Sequence, residues 1–350
     1  MRSWPFAAFG GPLQEQTGPS PQPTGRALLV RVAACGVCHT DVHTWEGSYD
    51  LGAGRRLDLS GRVRLPLTLG HEIAGKVEAC GPDAPPSLVG RSVVVYPWIG
   101  CGECASCRLG RDTFCARPRY LGVDSPGGFA DEVLVPDAKY VVTFDRLSAE
   151  QAAPLACSGL TAYSALRKIG SPGEQDPVLM IGAGGVGLCA LSMSRSLMQA
   201  PVAMADLDAR RLAAARRLGA ATVVDTSDMA RAKDLLERTA PAGFAAAIDF
   251  VGSPTTFELA WSSLRKGATL VVVGLFGGEA RFPLPMLPAR ALTLVGSYVG
   301  SLDELRQVVR LADENRFPSI PITPRPMATA CRCLEELRAG RVLGRTVLVP

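Results

Sequence analysis

All three histidines of the chain fall in two short motifs that also carry a cysteine and acids. The first reads Cys35-Gly-Val-Cys38-His39-Thr40-Asp41-Val-His43, and the second Gly70-His71-Glu72. A thiolate beside neutral imidazoles is the donor chemistry that zinc and related transition metals take up. Cys38 and His71 are the two evident ligands. A catalytic ion takes three protein donors and keeps one position open. The third is expected to be another Cys, His or acid near a domain junction, and the candidate is Cys157 in Pro154-Leu-Ala-Cys157-Ser-Gly-Leu-Thr161.

Four further cysteines follow the spacing Cys101-x2-Cys104-x2-Cys107-x7-Cys115. Four thiolates so close together can surround one tetrahedral ion and leave it no open position, which is structural zinc. Arg108 and Arg111 lie inside the loop, where they would offset its negative charge. An iron–sulfur cluster competes for this pattern, but the long last gap and the absence of a proline after Cys115 favour zinc. A zinc lobe at 98–117 carries fold stability and subunit contacts, not catalysis.

A third motif reads Gly182-Ala-Gly184-Gly185-Val186-Gly187. The apolar run Val178–Ile181 precedes it, a helical pattern follows, and a second strand ends in Asp206. In that context the glycines let backbone amides approach a pyrophosphate at a helix N-terminus. Asp206 would accept hydrogen bonds from the adenosine ribose and repel a 2′-phosphate, so NAD is expected over NADP. Arg210 and Arg211 weaken that preference, because an arginine nearby can accept the phosphate. Asp208 is expected to cap the helix beginning at Ala209.

These groups need a frame. The chain has 350 residues, enough for two domains, with 47% apolar residues and many glycines and prolines. Its net charge of +4 is slight and no basic tract interleaves with aromatics, which argues against nucleic acid as a partner. No apolar window is long enough to span a membrane and no signal peptide is evident, so a cytoplasmic location is expected. Eleven cysteines, an odd number, fit metal ligation better than disulfides.

Residues 1–150 read as β-rich, with short runs at Ala27–Ala33, Ile73–Glu78, Arg91–Tyr96 and Glu132–Val135. A helix is expected over Ala152–Ile169, and strands then alternate with helices to about Ser297. That alternation implies a parallel sheet covered on both faces. The last fifty or so residues are too few for a domain, and are expected to rejoin the first. The fold class is therefore α/β, with a doubly wound Rossmann sheet inserted into a discontinuous β-rich domain. The expected division is 1–158 with 299–350, and 159–298.

Six motifs in this order resemble those of the zinc-dependent medium-chain alcohol dehydrogenases: 36–43, 70–72, 101–115, the Cys157 segment, 182–187, and Gly344-Arg345. The resemblance spans nearly the whole chain. It implies a GroES-like catalytic domain, two zinc ions and NAD. By the same resemblance Cys38, His71 and Cys157 hold the catalytic zinc, Glu72 sits behind it as an occasional ligand, and Asp41 orients His71. Thr40 would bond the substrate oxygen and begin a proton relay to His43. His39 and Arg345 would contact the cofactor's pyrophosphate, and Thr161, Val273 and Ser297 its nicotinamide; Arg211, close after Asp206 in sequence, is a further cofactor-binding candidate. The implied reaction is reversible oxidation of primary or secondary alcohols by a homotetramer or homodimer. A polyol dehydrogenase is the nearest alternative, and a zinc- and NAD-binding redox sensor the alternative of another class.

One stretch departs from the family form. Residues 48–65 are longer and more basic, with Arg55, Arg56, Arg62 and Arg64, and are expected to border substrate entry and favour a negatively charged or bulky substrate. Trp45, Tyr49 and Trp98 are candidates for an apolar pocket wall.

Overall fold

The computed structural model describes residues 1–350. The N-terminal half builds β1 (Leu28–Gly36), α1 (His39–Glu46), β2 (Ser48–Gly52), β3 (Arg55–Asp58), β4 (Glu72–Cys80), β5 (Ser92–Val95), β6 (Glu132–Val135) and β7 (Val141–Thr143). Helix α2 (Ser158–Lys168) leads out of it. The parallel unit follows as β8 (Val178–Ile181), α3 (Gly185–Leu197), β9 (Val202–Asp206), α4 (Ala209–Arg217) and β10 (Thr222–Asp225). It continues with α5 (Met229–Thr239), β11 (Phe244–Asp249), α6 (Pro254–Ser263), β12 (Leu264–Val272) and β13 (Thr293–Gly296). The chain closes with α7 (Leu302–Asp313), β14 (Ile322–Pro326), α8 (Ala330–Arg338) and β15 (Arg345–Val349).

The six strands β8 to β13 form one all-parallel sheet in the order β10-β9-β8-β11-β12-β13. That order reverses beside β8, the switch point where open sheets of this kind bind ligands. Alternate residues explain why both faces are covered. Val178 and Met180 of β8 join a core shared with the β-rich half, whereas Leu179 and Ile181 join a second core on the opposite face.

The other large sheet runs β7-β5-β4-β1-β15-β14, with β6 also pairing β1. Its last two members come from the end of the chain, so the terminal strand β15 lies antiparallel to β1. The expected fold class is the observed one.

Two local readings change. The segment read as one helix over Ala152–Ile169 is a short helix at Ala149–Ala152, a 3₁₀ turn at Ala153–Ala156, and then α2. Cys157 interrupts it with φ −130° and ψ −67°, which frees its side chain from the helical stack. The basic insertion is not an open loop, because β2 and β3 pair as an antiparallel hairpin. Its tip meets the other half of the molecule. A Cβ on Gly52 would lie 2.8 Å from the Glu279 amide nitrogen, so only glycine fits there.

Candidate active site

The metal-donor cluster is built where two helices begin. Cys38 precedes α1 and Cys157 precedes α2, so both sulfurs stand at positive helix ends, which favour thiolate. The two sulfurs are 3.9 Å apart. The Cys157 thiol, followed by His71, pulls Cys38 well below the ordinary thiol range, while Cys157 is pushed up in turn. Metal ligation takes thiolates, so a cation bound between the two sulfurs would displace protons from them.

His71 is fully buried at the start of β4. Its Nδ1 lies 2.9 Å from the Asp41 carboxylate, which also accepts the Cys38 amide at 2.8 Å and the Gly70 amide at 3.1 Å. One buried acid therefore fixes the helix start, the strand entry and the imidazole. With Nδ1 donating, Nε2 presents its lone pair, and that atom is buried with no protein partner. The ligand atoms of Cys38, His71, Glu72 and Cys157 all lie within 4.8 Å of one another. An orphaned imidazole nitrogen beside two sulfurs fits a zinc ion.

Glu72 has further partners. Its Oε1 accepts the Ser158 amide (3.1 Å) and hydroxyl (2.6 Å), and Oε2 accepts from Arg345 Nη2 at 2.5 Å. The carboxylate thus caps α2 and neutralises an arginine that is itself buried. Gly36 makes room, since a Cβ there would lie 1.9 Å from Glu72 Oε2. Arg345 also reaches the nucleotide turn: a Cβ on Gly185 would lie 2.3 Å from its Cδ.

In that turn Gly184 precedes α3 and Gly185 opens it with no side-chain cap, leaving amides at the helix N-terminus free for an anion. Gly187 packs so tightly that a Cβ would come 1.8 Å from the Gly182 carbonyl. Val186 is half-buried beside it. Asp206, at the end of β9, accepts the Ala183 amide (2.7 Å) and the Asp208 amide (2.8 Å), which aims it across the turn. Asp208 caps α4 through the Arg210 amide, as its position suggests. These features fit a dinucleotide.

The remaining sequence candidates separate. Thr40 and His43 lie on α1, with His43 half-buried, its ring 4.6 Å from that of Tyr49. Burial lowers the His43 pKa. His39 is exposed at the first turn of α1. Thr161 is buried one turn after Cys157, and Ser297 is buried with an unpartnered hydroxyl, whereas Val273 is half-buried after β12. Arg211 is 4.0 Å from Asp206, but its Nη2 donates to the carbonyls of Gly340 (2.8 Å) and Val342 (3.3 Å). It clips α4 to the C-terminal segment.

Two of the four arginines of the insertion are engaged by acids, whereas Arg56 and Arg64 are exposed without an acidic partner. Arg62 binds both oxygens of Asp124, and Arg55 pairs with Glu279 at 3.1 Å. Trp45 is core, its indole bonded to the Gly11 carbonyl.

The quartet Cys101, Cys104, Cys107 and Cys115 forms a second cluster with ligand atoms within 4.8 Å of one another. Amides of Glu103 and Cys104 draw Cys101 down to about 6, while burial pushes Cys107 up to about 12. The Cys101 and Arg117 amides donate to Cys115 Sγ at 3.2 and 3.3 Å. Arg108 bonds the Glu103 carbonyl, and it is Arg117, outside the cysteine spacing, that bends back onto the lobe. Asp249 was also missed. It is buried at the end of β11 and accepts from Val251, Gly252 and Thr256, shaping the turn beside the nucleotide site. An acid ending a parallel strand was its only signal.

Comparison with known proteins agrees with this geometry. Residues 24–145 match the alcohol dehydrogenase GroES-like domain, and residues 185–314 match the zinc-binding dehydrogenase domain. An NAD-dependent alcohol dehydrogenase of Sulfurisphaera tokodaii is 34% identical over 350 residues, covering 100% of both chains. The alcohol dehydrogenase of the hyperthermophilic archaeon Aeropyrum pernix superposes with a TM-score of 0.89 at 31% identity over 100% of each chain. A cobalt- and zinc-bound thermostable alcohol dehydrogenase from Pyrobaculum aerophilum gives 0.85 at 26% identity, covering 100% of this chain and 99% of that one. The chain belongs to the zinc-binding alcohol dehydrogenase family, with a GroES-like domain joined to a Rossmann-type nucleotide fold.

Proposed function

We propose that the chain is an NAD-dependent zinc alcohol dehydrogenase that reversibly oxidises primary or secondary alcohols to aldehydes or ketones. The observation that carries this reading is Arg345. It bonds Glu72 in the metal-donor cluster and packs on Gly185 in the nucleotide turn, so both half-sites share one wall. Cys38, His71 and Cys157 would hold the catalytic zinc, and the quartet would hold the second ion. When bound, zinc supplies the Lewis acidity that eases loss of the alcohol proton, and NAD accepts the hydride.

The chain's own groups do the rest. Thr40 takes the hydrogen bond of the substrate hydroxyl, and His43 passes the proton to solvent. Gly182, Gly184, Gly185, Val186, Gly187 and His39 would bind the pyrophosphate, and Asp206 and Arg211 the adenosine ribose. Thr161, Val273 and Ser297 would hold the nicotinamide, and Arg345 steadies both halves. The working division is 1–158 with 299–350 as the catalytic domain and 159–298 as the nucleotide domain.

We place the protein in the cytoplasm, a reading supported by eleven free cysteines that include two thiolate metal sites. No helix is long and apolar enough to cross a membrane. We also propose a homodimer or homotetramer. Its support is β13, which ends the parallel sheet with Leu294 exposed and no partner strand beyond it.

The test is formation of reduced nicotinamide over a panel of alcohols, with NAD and NADP compared and zinc counted. Turnover with NAD by protein holding two zinc ions per chain is expected, one in each cluster. Zinc-replete protein that binds NAD but oxidises nothing would establish the sensor reading instead.

A further inference from the structure

Four buried groups, not three, could ligate a metal in the donor cluster, because ligand atoms of Cys38, His71, Glu72 and Cys157 all lie within 4.8 Å of one another. An ion given four protein donors is closed, whereas an ion that works on a substrate keeps one position open. The cluster can be catalytic only if one donor is held back.

Hydrogen bonding singles out Glu72. His71 Nε2 is buried with no protein partner, and the two sulfurs lie against each other at 3.9 Å. Both oxygens of Glu72 are instead taken. Oε1 accepts the Ser158 hydroxyl at 2.6 Å and the Ser158 amide at 3.1 Å, and Oε2 accepts Arg345 Nη2. A hydroxyl that close to a carboxylate makes one of the stronger hydrogen bonds a protein offers.

The serine is placed for this contact. It is fully buried, opens α2 directly after Cys157, and its hydroxyl donates to no other group. The Trp98 indole bonds the Ala156 carbonyl at 3.2 Å, which fixes the turn that carries Cys157 and Ser158 together. Arg345 is a less exclusive partner, because it packs on Gly185 and is expected to meet the pyrophosphate as well. Ser158 is the hold on Glu72 that does not depend on the cofactor.

We propose, resting on the dehydrogenase reading above, that Ser158 is a positioning residue whose hydroxyl keeps Glu72 out of the ligand set, and so keeps one metal position open to the substrate oxygen. Glu72, expected as an occasional ligand, becomes one when Ser158 lets go. Ser158 itself acts only through Glu72.

The experiment uses the full chain with cobalt(II) in this cluster and zinc kept in the quartet, and compares wild type with Ser158→Ala and Ser158→Thr. Added imidazole, which enters an open metal position, is titrated by the visible absorption of the cobalt, and release of the metal to a chelator is timed in parallel. Without the hydroxyl Glu72 competes for the open position. In Ser158→Ala imidazole should therefore bind about tenfold more weakly, the equivalent of one charge-assisted hydrogen bond. The metal, now given a fourth protein donor, should leave more slowly. A serine that merely supported the fold would give the opposite sign, faster release. Ser158→Thr keeps the hydroxyl and should match wild type in both measurements. Imidazole affinity in Ser158→Ala within about twofold of wild type, less than one such hydrogen bond supplies, would overturn the role of Ser158. So would faster metal release, or a threonine variant that behaves like alanine. A wild type that takes up no imidazole would do the same, since its position would already be closed. Neither readout needs turnover, so the expected binding results without oxidation of any alcohol would overturn the dehydrogenase reading alone.

Discussion

Replacing Asp41 by asparagine is the sharpest perturbation of the candidate site, because it changes no volume and moves no ligand atom. The Asp41 side chain is fully buried and both of its oxygens only accept: Oδ1 from His71 Nδ1 and the Gly70 amide, Oδ2 from the Cys38 amide. An asparagine presents one oxygen and one NH2, so in either orientation its NH2 faces a donor. Leaving a buried amide unpaired costs about 1–3 kcal/mol. The imidazole also loses the carboxylate that fixes its tautomer, and loss of such a partner weakens metal binding about 10–100-fold. That span corresponds to about 1.4–2.8 kcal/mol of binding free energy.

Zinc content is to be measured across a series of free-zinc buffers, in wild type and in Asp41→Asn. The catalytic site should empty at a free zinc concentration about 10–100-fold higher in the variant. The quartet shares no partner with Asp41, so its zinc should be lost at the same concentration in both proteins and serves as an internal control. Catalytic-site affinity within about twofold of wild type, well short of that range, would refute the argument that Asp41 sets the ligand. Equal weakening of both sites would mean that the substitution acts on the whole fold.

Three other outcomes follow from the same geometry. Burial lowers the His43 pKa below its usual value near ~6.5, so the ring is neutral at pH 7 and accepts a proton, and activity should fall only as the pH drops through that lowered value. In His43→Ala the rate near neutrality should fall about 100-fold, the lower end for a general base, and rise with pH as solvent takes over; a wild-type pH profile in the variant would exclude the relay. Asp206→Ser removes the acid proposed to meet the ribose and should shift the NADP-to-NAD ratio of kcat/KM up about tenfold, roughly 1.4 kcal/mol, checked by steady-state kinetics with both cofactors. Cys104→Ser should cost one zinc per chain and render the lobe protease-sensitive while the other zinc stays, as metal analysis and limited proteolysis would read.

Much of this was legible in the sequence because it depends on local spacing. The Val178–Ile181 run has no polar face, and that alone announces a strand buried on both sides, which β8 is. The four lobe cysteines and the glycine turn carry their geometry in their intervals. The 3₁₀ break before Cys157 was less visible, although Pro154 marks it. A sulfur that must reach Cys38 has to leave the helical stack, a tertiary demand that overrides helix propensity.

What no spacing reveals is which distant charge answers which. The insertion reads as basic because its arginines are local, whereas Asp124 and Glu279, which neutralise two of them, lie far along the chain. Glu72 and Arg345 are 273 positions apart, and sequence assigned one to the metal and the other to phosphate. Together they form a buried ion pair, and breaking such a pair by removing one partner costs about 3–5 kcal/mol. That cost ties the first half of the β-rich domain to its last strand at the point where metal donors meet the nucleotide turn. The terminal strand therefore belongs to the active site as much as to the sheet: without β15, Glu72 would be a buried, unpaired charge beside the metal-donor cluster.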